Sequence, residues 1–420
     1  MTEAANAPTD VTILGAGIIG VCCALAALER KLSVTVIDRL EPGEATSYGN
    51  AGVISPWSCV PQCMPGVWKG VPGWLLDPAG PVKLRWRDLP QILPWTLTFF
   101  RNATPKKVAR ITDGMDLLVQ GNVETYRRFL KGTGQENLLA DSWYVCVFRN
   151  GARPSLDDLA WTLRTDRGAP VEIVDGDALR EIEPAISKDY AGAVLIKAQG
   201  RARDPGALCK ALAKKAASLG ARFTKAEVRA LVPQGDGTVA LQTEAAPIAT
   251  RKLVLAAGIW SAELLAPLGL KLPLIAERGY HLEFQDPGIE INNSIQDMSA
   301  KIVISSMAAG VRCAGTAEFA APDAPPNYAR AKALEKLSKR LLPSLNTSPQ
   351  QQWMGIRPSF PDSLPAIGAL PGQPNLLAAF GHSHYGLGMA PGTGQLIGEM
   401  LRGETSNKDT AMIAPDRFLR

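Results

Sequence analysis

The sequence predicts an α/β fold, on three observations near its start. "VTIL" at 11–14 is a short, β-branched apolar run of the kind that forms a buried strand. "GAGIIG" at 15–20 follows directly and leads into Ala-rich helical sequence as far as about residue 31. "SVTVI" at 33–37 reads as a second strand, which Asp38 closes. A strand, a glycine turn, a helix, a strand and an acid in that order make one Rossmann-type βαβ unit.

Each piece has a physical reason. Gly15 makes the tight bend, Gly17 admits a pyrophosphate close to the backbone, and Gly20 lets helix and strand pack closely. The helix N-terminus offers unpaired N–H groups and a partial positive charge to the phosphates. Asp38 can accept hydrogen bonds from a ribose diol, and it would repel the extra phosphate of NADP. An ordinary strand-to-helix turn leaves Asp38 unexplained. On these residues alone NAD and FAD both stay open. The lead "MTEAANAPTD" lacks the charged and apolar regions of a signal peptide.

The bulk numbers allow two or three domains in 420 residues. A composition of 46% hydrophobic and 20% charged residues is that of a globular protein, and no apolar run approaches the roughly 18 residues of a membrane span. The seven cysteines have no framework spacing, which fits a reducing, cytoplasmic compartment. Cys22 and Cys23 read as small core residues, and Cys59 and Cys63 lack the second pair a zinc site needs. The three histidines, His281, His382 and His384, form no metal motif. The net charge of +5 is mild.

Its distribution says more. Between residues 53 and 110, Lys69, Lys83, Arg85, Arg87, Arg101, Lys106, Lys107 and Arg110 outnumber Asp77 and Asp88. Five of the nine tryptophans fall here too: Trp57, Trp68, Trp74, Trp86 and Trp95. Prolines including Pro72, Pro78, Pro81, Pro90 and Pro94 exclude a long continuous helix. A basic, Trp-rich, apolar segment suits contact with a membrane surface; the alternative is packing over the rest of the chain. Nothing else supports nucleic-acid binding.

Further stretches narrow the choice of nucleotide. "ATSYGNAGVIS" at 45–55 is small enough to run beside a flat ring or a pyrophosphate, and an NAD enzyme has no evident use for it there. "ARFT" at 221–224 and then Val228 read as one strand and the start of the next. "KLVLAAGIWS" at 252–261 is a buried strand ending in a tight turn, and "AFGHSHYGLGM" at 379–389 precedes a helix starting near Pro391. Together, "TSYGNAGVIS", "WLLDPAGPVKLRW", "GVRCAGTAEF" and "WMGIRPSFPDSLPAIG" resemble the D-amino-acid oxidase superfamily of FAD-dependent enzymes. Within it the chain looks most like the D-amino-acid dehydrogenase small-subunit group and the D-hydroxyproline dehydrogenases. The resemblance covers nearly the whole chain, with the motifs in family order.

The resemblance implies FAD as cofactor. Gly15, Gly17, Ile18, Ile19 and Gly20 would then meet the pyrophosphate, and Asp38 and Arg39 the adenosine ribose. Ser47, Asn50, Ala51, Gly52 and Val53 would line the side running to the isoalloxazine. Val228 would touch adenine, Ala257 and Gly258 the phosphate and ribityl region, and His382 the flavin. The backbone of Gly386, Leu387, Gly388 and Met389 would lie at the flavin C2 carbonyl, backed by the positive end of the last helix.

It also implies a chemistry. A flavin takes a hydride from the α-carbon of an amino acid while the protein orients the substrate. Arg357, beside the flavin, would clamp the carboxylate, with Tyr280, His384 and Tyr385 shaping the pocket. His384 and Tyr385 after Gly381 and His382 resemble the hydroxyproline-type relatives, so a D-proline or hydroxyproline substrate is one expectation. No dedicated base is evident. A quinone would take the electrons, with the protein peripheral on the inner face of the cell membrane.

The expected architecture is a Rossmann-type FAD-binding domain (9–57, 150–270 and 345–420) interleaved with an α+β substrate domain (58–149 and 271–344). The latter is built on an antiparallel sheet containing 282–284 and 311–319, covered by helical sequence at 115–131, with the Trp-rich basic segment at 57–110. Three alternatives stand beside this reading. An NAD-dependent reductase would use Tyr328 and Lys332, which lie far from the first unit. A flavin oxidase of secondary amines such as sarcosine or glycine would release peroxide. A membrane-associated subunit could bind FAD without catalysis.

Overall fold

A computed structural model describes residues 9–77, 80–404 and 408–418; the lead ahead of Thr9, and Pro78, lie outside the described residues. Five strands run parallel in one sheet, in the order Gln373–Phe380, Leu253–Leu255, Val11–Leu14, Val34–Asp38 and Arg222–Lys225. Ala366–Leu370 adds an antiparallel edge beside Gln373–Phe380. The strands are apolar because both faces are covered. Alternate residues serve two cores. Val11, Ile13, Val36, Val254 and Ala379 join a helical layer. Leu14, Ile37, Leu253, Leu255 and Ala378 meet Leu231 and Leu241 of a three-stranded meander, Val228–Pro233, Val239–Thr243 and Ile248–Thr250.

The helical layer comprises Ile18–Glu29, Pro205–Ser218 and Gly386–Arg402. The first and last of these pack at close range. A Cβ on Gly394 would lie 2.6 Å from the Cys22 carbonyl oxygen, so only glycine allows this approach. Cys22 and Cys23 are fully buried in this core.

Residues 115–131 do not cover the antiparallel sheet as expected. They belong to two helices, Pro105–Val119 and Asn122–Leu130, parted by Gly121 at φ +65°. Their apolar stripe, including Met115, Leu118, Tyr126 and Phe129, packs on the last helix in the core of the parallel sheet.

The last helix begins at Gly386, five residues before the expected start at Pro391. Pro391 therefore sits inside the helix, where it has no N–H for the Leu387 carbonyl. The Tyr126 hydroxyl donates to that carbonyl instead, at 2.7 Å, and Asn122 Nδ2 donates to the Gly388 carbonyl at 3.0 Å.

The second sheet has ten strands and is mostly antiparallel. Its path runs Gln350–Ser359, Ile275–Phe284, Gly310–Phe319, Ile302–Met307, Ser294–Asp297, Leu139–Arg149, Tyr190–Ala202 and Val53–Ile54. Val82–Leu84 pairs with Gly310–Phe319, and Val171–Asp175 with Tyr190–Ala202. Ala329–Leu341 and Gly176–Ile182 cover one face through Leu334, Leu341 and Leu179.

The expected boundaries shift accordingly. Val171–Asp175 and Tyr190–Ala202, placed in the cofactor unit as part of 150–270, belong to this second sheet. So does Gln350–Ser359, placed with 345–420. The reason is pairing length. Tyr190–Ala202 spans 13 residues, and Leu139–Arg149 with 11 matches it, whereas Val34–Asp38 in the parallel sheet has 5.

Candidate functional site

One cavity of about 1180 Å³ is lined from both sheets. That exceeds the roughly 300–1,000 Å³ of an ordinary ligand pocket and leaves room for a long ligand and a small one together.

The glycine turn forms one end. Gly15 has φ +116°, and a Cβ there would lie 2.4 Å from the Ala256 carbonyl oxygen. Gly15, Gly17, Ile18 and Ile19 border the cavity. Gly20 lies behind them: a Cβ there would sit 1.9 Å from the Gly15 oxygen, so its part is packing rather than ligand contact. The first turn of Ile18–Glu29 has no acid and no cap from Gly17, which leaves its positive end, and its amides other than that of Ile18, to an anion. Ser47 Oγ accepts the Ile18 N–H at 3.0 Å.

Asp38 accepts N–H groups of Ala16 at 2.6 Å and Leu40 at 2.9 Å, and each oxygen keeps a further lone pair for a ribose hydroxyl. Arg39 lies 4.2 Å over the Trp260 ring and pairs with Glu227 at 3.6 Å, next to Val228. Asn50, Ala51, Val53, Ala257 and Gly258 continue the wall. Gly52 stands behind it at φ +84°, where a Cβ would be 2.5 Å from the Ala202 oxygen.

The N-terminus of Gly386–Arg402 forms a further part of the wall. Gly386, Leu387 and Gly388 border the cavity, and this first turn also has neither cap nor acid. Met389 does not border it and is fully buried in the core. Two open helix N-termini aimed at one long cavity, with a cradle that a Cβ would fill, fit a dinucleotide.

The cavity wall also holds a charged cluster. The pairing of Gln350–Ser359 with Ile275–Phe284 sets Arg357 opposite Glu277. Arg357 Nη1 donates to Glu277 Oε1 at 3.0 Å and to the Thr316 carbonyl at 3.2 Å. The guanidinium lies flat on Gly279, where a Cβ would meet Nη2 at 2.4 Å. Nε and Nη2 have no hydrogen-bond partner among the described residues, and Arg357 borders the cavity. The free side is the two-donor edge that matches a carboxylate.

Glu277 is only 2% exposed. It also accepts from Ser359 Oγ at 2.9 Å and from His384 Nε2. Burial pushes its carboxyl up, but His384, Arg357 and Ser359 outweigh burial and hold it at about 2. Burial lowers the His384 ring below its usual 6.5, and Arg357 adds to that against the pull of Glu277. The His384 side chain keeps 31% exposure and borders the cavity.

Two strained residues flank this cluster. Thr316 and Ser383 hold φ values of +62° and +49°. Thr316 lies where the pairing of Ile275–Phe284 with Gly310–Phe319 shifts register, and such a bulge re-aims the carbonyl that Arg357 uses. Both hydroxyls are buried without a hydrogen-bond partner, and both residues border the cavity.

The other expected site residues have their polar atoms committed. The Tyr280 hydroxyl donates to Glu318 and receives the Asn327 N–H at 2.9 Å, so it serves the wall rather than a ligand. Tyr385 donates to the Val60 carbonyl at 2.9 Å. His382 Nε2 bonds to Thr393 Oγ1 at 2.9 Å, and burial lowers the ring to about 3. Tyr280, Tyr385 and His382 all border the cavity. Sequence reasoning missed Glu277, Ser359 and Thr316. The available signal was an acid inside the apolar run "LIAERGYHLEF".

The Trp-rich segment walls the cavity and also exposes apolar surface. Trp95 Nε1 donates to the Ser359 carbonyl at 3.0 Å, and its ring stacks on Phe99 at 5.2 Å. Outside, Trp68, Leu76 and Trp86 are 59%, 83% and 70% exposed, and Leu93 and Leu97 each 49%. The longest helix here, Leu89–Asn102, holds Pro94 within its 14 residues. Among the described residues no helix is long and apolar enough to cross a membrane.

Comparison with known proteins agrees with this geometry. The family described as FAD dependent oxidoreductase (DAO) matches residues 10–400. A D-amino-acid oxidase of Bradyrhizobium diazoefficiens is 37% identical over 417 residues, covering 97% of this chain and 99% of its own. A D-amino acid dehydrogenase of Allorhizobium ampelinum is 32% identical over 427 residues, with 97% and 98% covered. Among solved structures, glycine oxidase from Geobacillus kaustophilus shares the fold with a TM-score of 0.73 at 22% identity, covering 97% of this chain and 98% of that one. L-proline dehydrogenase from P. horikoshii does so with a TM-score of 0.73 at 19% identity, 98% of each chain being covered.

Proposed function

The chain belongs to the DAO family of FAD-dependent oxidoreductases, and from that premise we propose that it oxidises the Cα–N bond of a D-amino acid. The product is an imine, which water hydrolyses to a 2-oxo acid and ammonia, or an amine where the substrate nitrogen is secondary. Bound FAD supplies the acceptor for the Cα hydrogen and its electron pair. On this reading Gly15, Gly17, Ile18 and Ile19 hold the pyrophosphate, Asp38 and Arg39 the adenosine ribose, and Val228 the adenine. Gly386, Leu387 and Gly388 present the last helix to the flavin C2 carbonyl.

The free Nε–Nη2 edge of Arg357 carries the proposal. A substrate carboxylate there makes paired, charge-assisted hydrogen bonds. Glu277 and Thr316 hold the guanidinium in place beforehand, so binding energy goes into orientation rather than into ordering the clamp. The D configuration follows the names of the relatives at 37% and 32% identity. A proline-type side chain is the finer proposal, motivated by His384 and Tyr385 in the loop before the last helix.

For the electrons we propose a quinone, reached by peripheral attachment to the inner face of the cell membrane. The exposed Trp68, Leu76 and Trp86, with exposed Lys69 and Arg87 among them, support this. Oxygen is the second reading, favoured by the 37%-identical relative that is named an oxidase.

Anaerobic mixing with D- and L-amino acids, D-proline and hydroxyprolines included, tests the proposal. D-amino acids should bleach the flavin and their L counterparts should not. Bleaching by L members alone, or by no amine, overturns it. Reoxidation by a soluble quinone marks a dehydrogenase, and stoichiometric peroxide on admitting air marks an oxidase.

A further inference from the structure

We infer that His384 is the base that takes the proton from the substrate's α-ammonium group, and that Glu277 is the positioning residue that decides which ring nitrogen does so. The inference rests on the amino-acid reading above. A zwitterionic amino acid carries its nitrogen lone pair as an N–H bond. That pair must be freed before the Cα–H electrons can leave. The cavity therefore needs a proton acceptor within reach of the carboxylate clamp.

Among the described residues next to Arg357, one side chain offers such an atom with the basicity of an amine acceptor; the unpartnered Thr316 and Ser383 hydroxyls are far too weakly basic to hold an ammonium proton. Glu277 is ionised, and its oxygens are engaged by Arg357, Ser359 and His384. The Ser359 hydroxyl is itself spent on Glu277, and the Tyr385 hydroxyl on the Val60 carbonyl. His384 differs. A carboxylate can only accept, so Nε2, which bonds to Glu277 Oε1, carries the ring's proton. In the neutral ring Nδ1 is then a bare lone pair. Among the described residues Nδ1 has no partner, and the ring borders the cavity. A base oriented by a buried carboxylate behind it is the arrangement that fixes tautomer and direction together.

The surroundings keep the ring unprotonated and ready. The groups facing it are Glu277 from Ile275–Phe284, Arg357 from Gln350–Ser359, and Tyr385 beside it in sequence, its ring 6.3 Å away. Burial and Arg357 lower His384 below 6.5, so it is neutral at physiological pH.

The step balances as follows. One ammonium proton passes to Nδ1 and leaves His384 an imidazolium, whose charge Glu277 stabilises. The freed nitrogen pair forms the C=N bond as the Cα hydrogen departs with its two electrons to FAD. The substrate thus loses one proton and one hydride and becomes the iminium carboxylate.

The test uses the full FAD-loaded chain and whichever D-amino acid bleaches the wild type fastest, followed anaerobically. His384→Ala should lower kcat/KM for bleaching by about 100-fold or more near neutral pH. The wild-type profile should fall only below 6.5, where His384 protonates. The variant should instead rise about tenfold per pH unit as free amine becomes available, and added imidazole should restore much of the lost rate. His384→Gln, of closer volume, should give the same profile if the alanine variant folds poorly. A higher KM with an unaltered profile and no rescue overturns the inference.

Nitrogen NMR of labelled histidine gives a readout apart from turnover. The chain has three histidines, and the loss of one set of ring signals in His384→Ala identifies those of His384. Its ring should be neutral with the proton on Nε2; a proton on Nδ1 at neutral pH overturns the inference. Wild-type flavin that no amino acid bleaches sinks the preceding proposal and this one with it. Bleaching by the wild type with an unchanged His384→Ala profile sinks this one alone.

Discussion

At Gly279 the Arg357 guanidinium rests directly on backbone, with Cζ 2.5 Å from where a Cβ would stand. Gly279→Ala should therefore push the clamp aside, raising KM for carboxylate substrates about tenfold or more while the flavin spectrum stays as it is. Arg357→Ala removes the clamp altogether. Charge-assisted hydrogen bonds at about 1.5–3 kcal/mol each make that a rise in KM of about 100-fold, read by steady-state kinetics. The histidines also set how stability depends on pH. Burial lowers His281 and His382 to about 3, against 6.5 for the free side chain. Between those values the unfolded chain binds protons that the folded chain refuses. Stability is full above 6.5 and falls as pH drops, by about 1.4 kcal/mol per pH unit for each histidine. Thermal melts should show Tm falling from about pH 7 to about pH 5, and a flat Tm across that span would contradict the burial. Arg357 was legible because it stands in a motif, before Pro358. Glu277 was not, because nothing local marks one acid in an apolar strand. It meets Arg357 only through the register of strands far apart in sequence.

The last helix shows the same limit for elements. Its start was read at Pro391 because proline favours the first turn of a helix, yet the helix begins at Gly386. What makes an interior proline tolerable is a distant hydroxyl, Tyr126, on the Leu387 carbonyl. Tyr126→Phe should leave that carbonyl unpaired and cost about 1–3 kcal/mol in chemical denaturation. FAD should be held less tightly too, since Leu387 borders the cavity. Gly394→Ala would set a Cβ 2.7 Å from the Cys22 carbonyl carbon and force the first and last helices apart. A loss of about 1–3 kcal/mol is expected there, and an unchanged denaturation midpoint would show that the pair can spread without cost. The first βαβ unit was fully legible because its strands, turn and helix are neighbours in sequence. Met115 was assigned to the wrong layer because an amphipathic helix reveals that it has a buried face and nothing of what covers it.

Across the whole molecule, the parallel strands at 11–14, 34–38, 222–225 and 253–255 and the second-sheet segments at 282–284 and 311–319 could be anticipated, while Gln373–Phe380 and the long strands that extend the second sheet could not. The outer surface of the Trp-rich segment is the remaining large feature. Trp68, Trp86 and Leu93 do not border the cavity. Replacing all three by serine should abolish cosedimentation with anionic vesicles and leave flavin bleaching by substrate unchanged. Added salt should weaken wild-type attachment, because each basic residue near such a surface is worth only about 1 kcal/mol and is screened. Equal pelleting of variant and wild type would remove the membrane assignment. The order of the parallel sheet has a further consequence during synthesis. Val11–Leu14 pairs early with Val34–Asp38, but its other neighbour, Leu253–Leu255, leans on Gln373–Phe380. Helix Ile18–Glu29 is likewise capped by Gly386–Arg402. At about 5–20 residues per second, a ribosome leaves the side of that helix that meets Gly386–Arg402 uncovered for roughly 20–70 seconds. For that interval the nascent polypeptide displays sticky surface to the cell, and the nucleotide can dock only once Gly386–Arg402 has been made.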